Sequence, residues 1–136
     1  MIIINSFELL IILANGGCII NNFNGDVPQS QQDLESLAGV GRKTANVIRN
    51  TAFGELTIAI DTHIFRVANR THLACGKTPL EIELQLLKST PKQFLKHAHH
   101  WLLLHGRYIC KAKKPLCKQC NINHLCEFEN KNLYMH

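Results

Sequence analysis

Four cysteines near the C-terminus, Cys110, Cys117, Cys120 and Cys126, carry the plainest chemistry in this chain. Their spacing is C-x6-C-x2-C-x5-C, and seventeen residues hold all four. Short loops gather soft sulfur ligands around one centre at small closure entropy. Two disulfides, a zinc ion held by four thiolates and an iron–sulfur cluster all use such a set. Disulfides fit worst, because the start of the chain has no basic n-region of a secretory signal and the 46% apolar content needs no staples. The 6-2-5 spacing departs from the paired cysteines of zinc ribbons, yet spacing alone leaves zinc and iron–sulfur both open. Lys111, Lys113, Lys114 and Lys118 crowd the same loop. Ammonium groups stabilise an anionic thiolate centre, and those left over form a basic patch facing outward. Cys18 and Cys75 stand apart and are expected to be small buried apolar residues.

A second constellation lies at Leu37-Ala38-Gly39-Val40-Gly41-Arg42-Lys43-Thr44-Ala45. Two short helices meet at Gly39-Val40-Gly41, with Arg42 and Lys43 at once behind. Glycines let backbone approach a ligand closely, and the free N–H groups of a helix start favour an anion. The stretch reads either as a hairpin that grips DNA phosphates without reading sequence or as a tight helix–helix corner. Lys43 is then either a phosphate contact or a nucleophile. Its amine attacks a carbon electrophile only when unprotonated, and the helix start and Arg42 both disfavour the ammonium form. Asp61, between an apolar run and a helix, is an N-cap or a carboxylate that stabilises a developing cation or takes up a proton. His63, His97, His99, His100 and His105 are expected to be core or surface residues.

The elements that must position these groups are helices. Ser6–Ala14 reads as one buried helix with Ser6 as N-cap, too short to span a bilayer. Asn24–Pro28 is a turn, and residues 30–37 a short helix with Leu34 and Leu37 on one face. After the glycines comes a helix with Ala45, Ile48 and Ala52 inward, ended by Gly54. Leu56–Ile60 is a buried connector of ambiguous type. Asp61 starts a helix with Ile64, Val67 and Ala68 inward. Thr78-Pro79 starts another with Leu80, Leu84 and Leu87 inward, and Pro91 a last long one with Leu95, Ala98 and Leu102 inward. The class is all-α. The chain divides into 1–20, N-terminal helix and junction; 21–105, the helical region that carries the glycine turn, Lys43 and Asp61; and 106–136, cysteine loop and tail. All 15 basic residues and six of the ten acids lie in 42–136, so that stretch carries +9 and residues 1–41 carry −4. Such asymmetry suggests a polyanionic partner, nucleic acid first. Without a targeting segment the expected location is the cytoplasm, a reducing compartment where clustered cysteines hold metal.

Taken together, Leu37–Val47, Ala59–Val67 and His99–Cys126 resemble endonuclease III, a family of bifunctional helix–hairpin–helix DNA glycosylases with AP-lyase activity. The resemblance runs nearly without gaps from Ile19 to about Glu129, with three motifs in order. It implies a 4Fe–4S cluster on Cys110, Cys117, Cys120 and Cys126. It implies that Lys43 attacks the sugar C1′, expels the base and forms a Schiff base, after which β-elimination nicks the strand. Asp61 is implied as the carboxylate that assists. DNA-backbone contacts are expected from Gly39, Val40, Gly41, Arg42, Lys111, Lys113 and Lys114. The implied partner is double-stranded DNA with oxidised pyrimidines, flipped from the duplex, or abasic sites. The implied setting is a bacterial nucleoid, with no membrane. Lys43 argues against the related adenine-specific glycosylases.

The departures are informative. Family members have about 70 more residues, roughly one further helical layer. Phe7–Ile11 looks like the family's early helix, and Ile19–Pro28 like a segment well downstream, so an internal deletion is expected near Gly16-Gly17. Most of the six-helix barrel lobe would be missing, with the polar stretch that fills the hole left by the flipped base. The apolar faces it bares would be covered by repacking or by a dimer of the otherwise monomeric chain. Ala38 replaces the proline usual before the hairpin glycine, which is expected to loosen that turn. An alternative to the enzyme is therefore a non-catalytic DNA-binding remnant that keeps hairpin and cluster.

Overall fold

The structure, a computed structural model, describes residues 15–133. The helix expected at Ser6–Ala14 and the early-helix match at Phe7–Ile11 lie outside the described residues. The chain divides into two compact units, Met1–Ala59 and Ile60–His136.

In the first unit a helix begins at the glycine pair itself: α1 is Gly16–Phe23. The sequence pattern marks this spot only as a junction, because a Gly-Gly start opposes helix propensity. Asn24 at φ 54° and Gly25 at φ 82° end it in left-handed geometry, which makes the turn expected at Asn24–Pro28. α2 is Gln31–Glu35, capped by Ser30, whose Oγ accepts the Asp33 N–H at 3.1 Å. α3 is Arg42–Phe53 and stops at Gly54, φ 66°. Ile19, Leu34, Leu37, Val40 and Ala45 are buried together, with Cys18, Phe23 and Ile48 packed against them. Ala45 and Ile48 face inward as expected, whereas Ala52 is exposed because it lies in the final turn, beyond the reach of this cluster.

The connector after Gly54 is neither helix nor strand. Thr57, Ile58 and Ala59 are buried there, so their backbone groups need partners. Amide side chains of α3 supply several. Asn50 Nδ2 donates to the carbonyls of Glu55 (3.2 Å) and Thr57 (3.0 Å), and Asn46 Nδ2 to that of Ile58 (3.4 Å). Thr57 Oγ1 donates back to the Asn46 carbonyl at 2.6 Å.

The second unit contains α4 (Thr62–Thr71), α5 (Pro79–Ser89) and α6 (Lys92–Tyr108), then 3-10 turns at Cys117–Gln119 and Asn123–Leu125. No strand occurs among the described residues, as the all-α reading requires. α4 buries Ile64, Val67 and Ala68. It packs on α6 at Gly106, where an added Cβ would lie 2.9 Å from His63 Cβ and 3.0 Å from Val67 Cγ2. Only a glycine lets the two helices come this close.

α5 begins with a full capping box of Thr78 and Glu81 and Pro79 in its first turn. Its buried face corrects the expected one. Ile82, Glu83 and Leu86 are inside, while Leu80 and Leu84 are 45% and 56% exposed. A leucine-rich helix offers more than one apolar stripe, and which one turns inward is set by the neighbours rather than by the period. α6 buries Leu95 and Ala98 as expected, with Leu102 half-buried.

Candidate nucleic-acid interface and metal centre

The hairpin is built within the first unit. Leu37 and Val40 are both buried, and the Val40 N–H donates to the Leu37 carbonyl at 3.2 Å. Gly39, at φ 78°, takes the third position of this four-residue turn, the left-handed slot of a type II turn. Gly41 is the N-cap of α3 and offers no side-chain cap to its first turn. Its backbone is extended, φ −97° and ψ −174°, which any residue adopts. A Cβ on Gly41 would also meet nothing within 4 Å. The fold itself makes no use of a missing side chain there, whereas a ligand approaching the α3 amides would. Arg42 and Lys43 are exposed on that first turn. Gly39, Val40, Gly41, Arg42 and Lys43 thus share one feature, with Val40 as its buried anchor.

Ala38, at the position where a proline is usual, is held through its backbone. Asn15 is 4% exposed and engages both backbone groups of that residue. Its Nδ2 donates to the Ala38 carbonyl at 2.8 Å, and its Oδ1 accepts the Ala38 N–H at 2.8 Å. The sequence pattern hides this because the two residues lie 23 positions apart.

Asp61, in the second unit, is the N-cap of α4. Its Oδ1 accepts the Ile64 N–H at 2.8 Å, so the capping role is real. The carboxylate is half-buried and held at a helix start.

All six cysteines are free thiols. Cys110, Cys117, Cys120 and Cys126 are half-buried and line a single hollow with Ile109, Leu116 and Phe128. Among the described residues no three metal-ligating side chains converge closely enough to hold one ion. The thiols stand around a space, not on a point. Lys111, Lys113, Lys114 and Lys118 are exposed around them, with Lys114 at φ 50°. Cys75 is exposed rather than buried, because it sits in the loop between α4 and α5, and Cys18 is half-buried against the hairpin core.

Two arginines on α4, one helical turn apart, hold the front of the cysteine loop. Arg66 Nε donates to the Cys110 carbonyl (3.0 Å) and its Nη2 to that of Gly106 (2.6 Å). Arg70 donates to the carbonyls of Lys111 (2.7 Å) and Ala112 (2.9 Å) and approaches Cys110 Sγ at 3.5 Å. Its guanidinium lies 4.8 Å from the centre of the Phe128 ring. His105 Nε2 is 3.6 Å from Cys120 Sγ, and burial holds that imidazole below its ordinary pKa, favouring the neutral ring. Asn123 Oδ1 is buried in the same wall without a hydrogen-bond partner. Arg66, Arg70 and Asn123 were not singled out from sequence, and His105 was expected only as a core or surface residue. The i, i+4 spacing of Arg66 and Arg70 was a signal, but their acceptors lie about 40 residues away.

Residues 22–51 match the family model described as "Helix-hairpin-helix motif". Over 113 residues the chain is 58% identical to endonuclease III of Haemophilus influenzae, covering 83% of this chain and 54% of the relative. Over the stretch they share, this chain is similar to endonuclease III. Among solved structures, it is similar to a non-covalent endonuclease III–DNA complex, with TM-score 0.79 and 41% identity over 88% of this chain and 56% of that one. It is also similar to a trapped covalent endonuclease III–DNA intermediate, an estranged-adenine complex. There the TM-score is 0.76 and the identity 43%, over 82% of this chain and 53% of that one. The chain spans about half the length of the curated relatives it matches.

Proposed function

We propose that this chain acts in base-excision repair as a DNA glycosylase and AP lyase on double-stranded DNA. Its substrates would be oxidised pyrimidines and abasic sites. The observation that carries the reading is the hairpin: an uncapped α3 start behind an unneeded glycine, with Lys43 exposed on that turn. The α3 amides and Arg42 bind a phosphodiester, and the basic loop of Lys111, Lys113 and Lys114 adds sequence-independent backbone contacts. Lys43 Nζ then attacks C1′. The C1′–N bond to the base breaks as the new C–N bond forms, and the base leaves with a proton. At an abasic site water leaves instead. The C1′–O4′ bond of the resulting aminal then opens, O4′ taking a proton, to give a Schiff base, and loss of a C2′ proton from it expels the 3′ phosphate by β-elimination. Asp61 assists by stabilising positive charge that develops at the sugar or by taking up a proton.

The four cysteines fit an iron–sulfur group better than a zinc ion. Tetrahedral zinc at about 2.3 Å from each thiolate would draw the sulfurs to within roughly 4 Å of one another. Four thiols lining one hollow suit the 4Fe–4S body that the resemblance implies. Such a group would supply cross-links that hold 110–126 folded, and Arg70 would place a cation beside one thiolate.

Half-length coverage favours a second reading, a DNA-binding remnant without catalysis. Borohydride trapping on a duplex with one abasic site separates the two. A covalent band that vanishes in Lys43→Ala supports the lyase; no band from iron-loaded protein that binds DNA supports the remnant. The acting form is a monomer in a bacterial nucleoid. No helix among the described residues is long and apolar enough to cross a membrane. Phe94, Trp101 and Tyr108 are exposed on α6 and give self-association a surface, which a concentration-dependent mass would reveal.

A further inference from the structure

We propose that Asn15 is a positioning residue of the hairpin: its carboxamide clamps both backbone groups of Ala38 and so pre-organises the Gly39–Lys43 turn for a DNA phosphate. The inference rests on the DNA-binding reading above and adds to it a residue outside the hairpin motif.

Ala38 occupies the second position of the turn closed by Val40 N–H and the Leu37 carbonyl. Proline is favoured there because its ring fixes φ before the turn forms. Proline also has no N–H. In this chain the N–H exists, and Asn15 Oδ1 takes it at 2.8 Å while Asn15 Nδ2 holds the carbonyl of the same residue at 2.8 Å. Ala38 and Asn15 are therefore a matched pair. Stiffness that a pyrrolidine ring would impose from within is imposed from outside by a planar amide. Of the short side chains only asparagine carries a donor and an acceptor side by side at this reach. The Asn15 side chain is itself buried and starts α1, whose Ile19 lies in the same core as Leu37 and Val40. The clamp thus connects the turn to that core by a route other than the turn's own side chains. Ala38 itself is exposed, so its methyl cannot do this.

A preformed turn binds phosphate without ordering its backbone at that moment, so loss of the clamp should appear as weaker binding with an unchanged number of phosphate contacts. The experiment uses the full chain and two readouts: amide hydrogen exchange at Ala38 by NMR, and affinity for a duplex with a reduced abasic site over a range of salt. In Asn15→Ala the Ala38 amide should lose protection and the duplex Kd should rise on the order of tenfold, the scale of one or two hydrogen bonds, at unchanged salt slope. Asn15→Asp, which keeps an acceptor and loses the donor, should fall between and serves if the alanine variant does not fold. Ala38→Pro should weaken binding in the native background, where it leaves Asn15 Oδ1 without its donor. It should restore binding in Asn15→Ala, where the ring replaces the clamp. That reversal of sign is a coupling that a general loss of stability does not produce. Additive effects at 15 and 38 overturn the proposal. So does a wild-type protein that binds duplex with an unprotected Ala38 amide, which leaves the DNA reading intact. A wild-type protein that protects Ala38 yet binds no duplex overturns both the positioning role and the DNA reading.

Discussion

The hairpin around Gly39 is held by apolar anchors: Leu37 and Val40 are buried on either side of the turn, with Leu34 and Ala45 beneath. The cysteine loop from 110 to 126 is held by directed polar contacts. Its first carbonyls accept from Arg66 and Arg70, and Lys131 Nζ donates to the Asn123 carbonyl at 2.8 Å further on. The two regions also differ in what they leave open. The hairpin leaves backbone N–H groups at the start of α3 without a side-chain cap, whereas the loop leaves four thiols around a hollow. One is finished by its own core. The other is a frame held by donors from a distant helix. Burial needs nearby apolar residues, and the hairpin has them in local sequence. The loop is rich in lysine and leaves Ile122 and Leu125 exposed, and it borrows guanidinium donors from a helix 40 residues earlier.

The comparison is best broken from the loop side, where the largest effect is expected. Cys117→Ala should abolish iron binding and the visible absorbance of an iron–sulfur centre, and amide exchange across 110–126 should become fast. Retained protection with no iron would show a loop that folds on its polar contacts alone. In the hairpin, Leu34→Ala removes a fully buried side chain and should cost about 2–5 kcal/mol, read as a lower denaturation midpoint. A cost under ~1 kcal/mol would mean that the small core collapses into the cavity. Arg70→Ala should cost about 1.5–3 kcal/mol through carbonyls left without a charged donor. Arg70→Lys should recover little of it, because an ammonium cannot span the Lys111 and Ala112 carbonyls as a fork does. Full recovery by lysine would reduce the contact to plain charge. The smallest effect is Gly39→Ala, about 1–2 kcal/mol for a Cβ at φ 78°. Its destabilisation should come with weaker duplex binding, and binding that stays native would show that the turn does not set the phosphate geometry.

Much of this was legible in the chain. Asp61 is a cap by residue type and accepts the Ile64 N–H, and a helix starts at Thr78-Pro79 as its residues predict. Gly54 ends α3 in the left-handed geometry that its type permits. The motif order pointed to a resemblance to endonuclease III before any contact was seen. Other features were not legible, for reasons that differ. α5 turns Ile82 and Leu86 inward instead of Leu80 and Leu84, since two stripes fit one period and only the neighbouring elements choose. The helix starting at Gly16 runs against propensity, and its Ile19 gains burial in the hairpin core. Gly106 looks idle in a helical sequence until His63 and Val67 of α4 are seen against it.

By itself the sequence determined the local and the chemical: helix starts and stops, the turn at Gly39, the set of four thiols, the lysine behind the hairpin. These depend on side-chain type and on spacings of a few residues, which a chain carries in its order. Tertiary structure alone decided which distant groups meet. It brought Asn15 to Ala38, Arg66 and Arg70 to the carbonyls of 106–112, and His105 to Cys120. Hydrogen bonds across tens of residues leave no periodic trace. Apart from the Cys120 thiol that His105 meets, their partners are backbone groups, so only packing selects which of them become acceptors and donors.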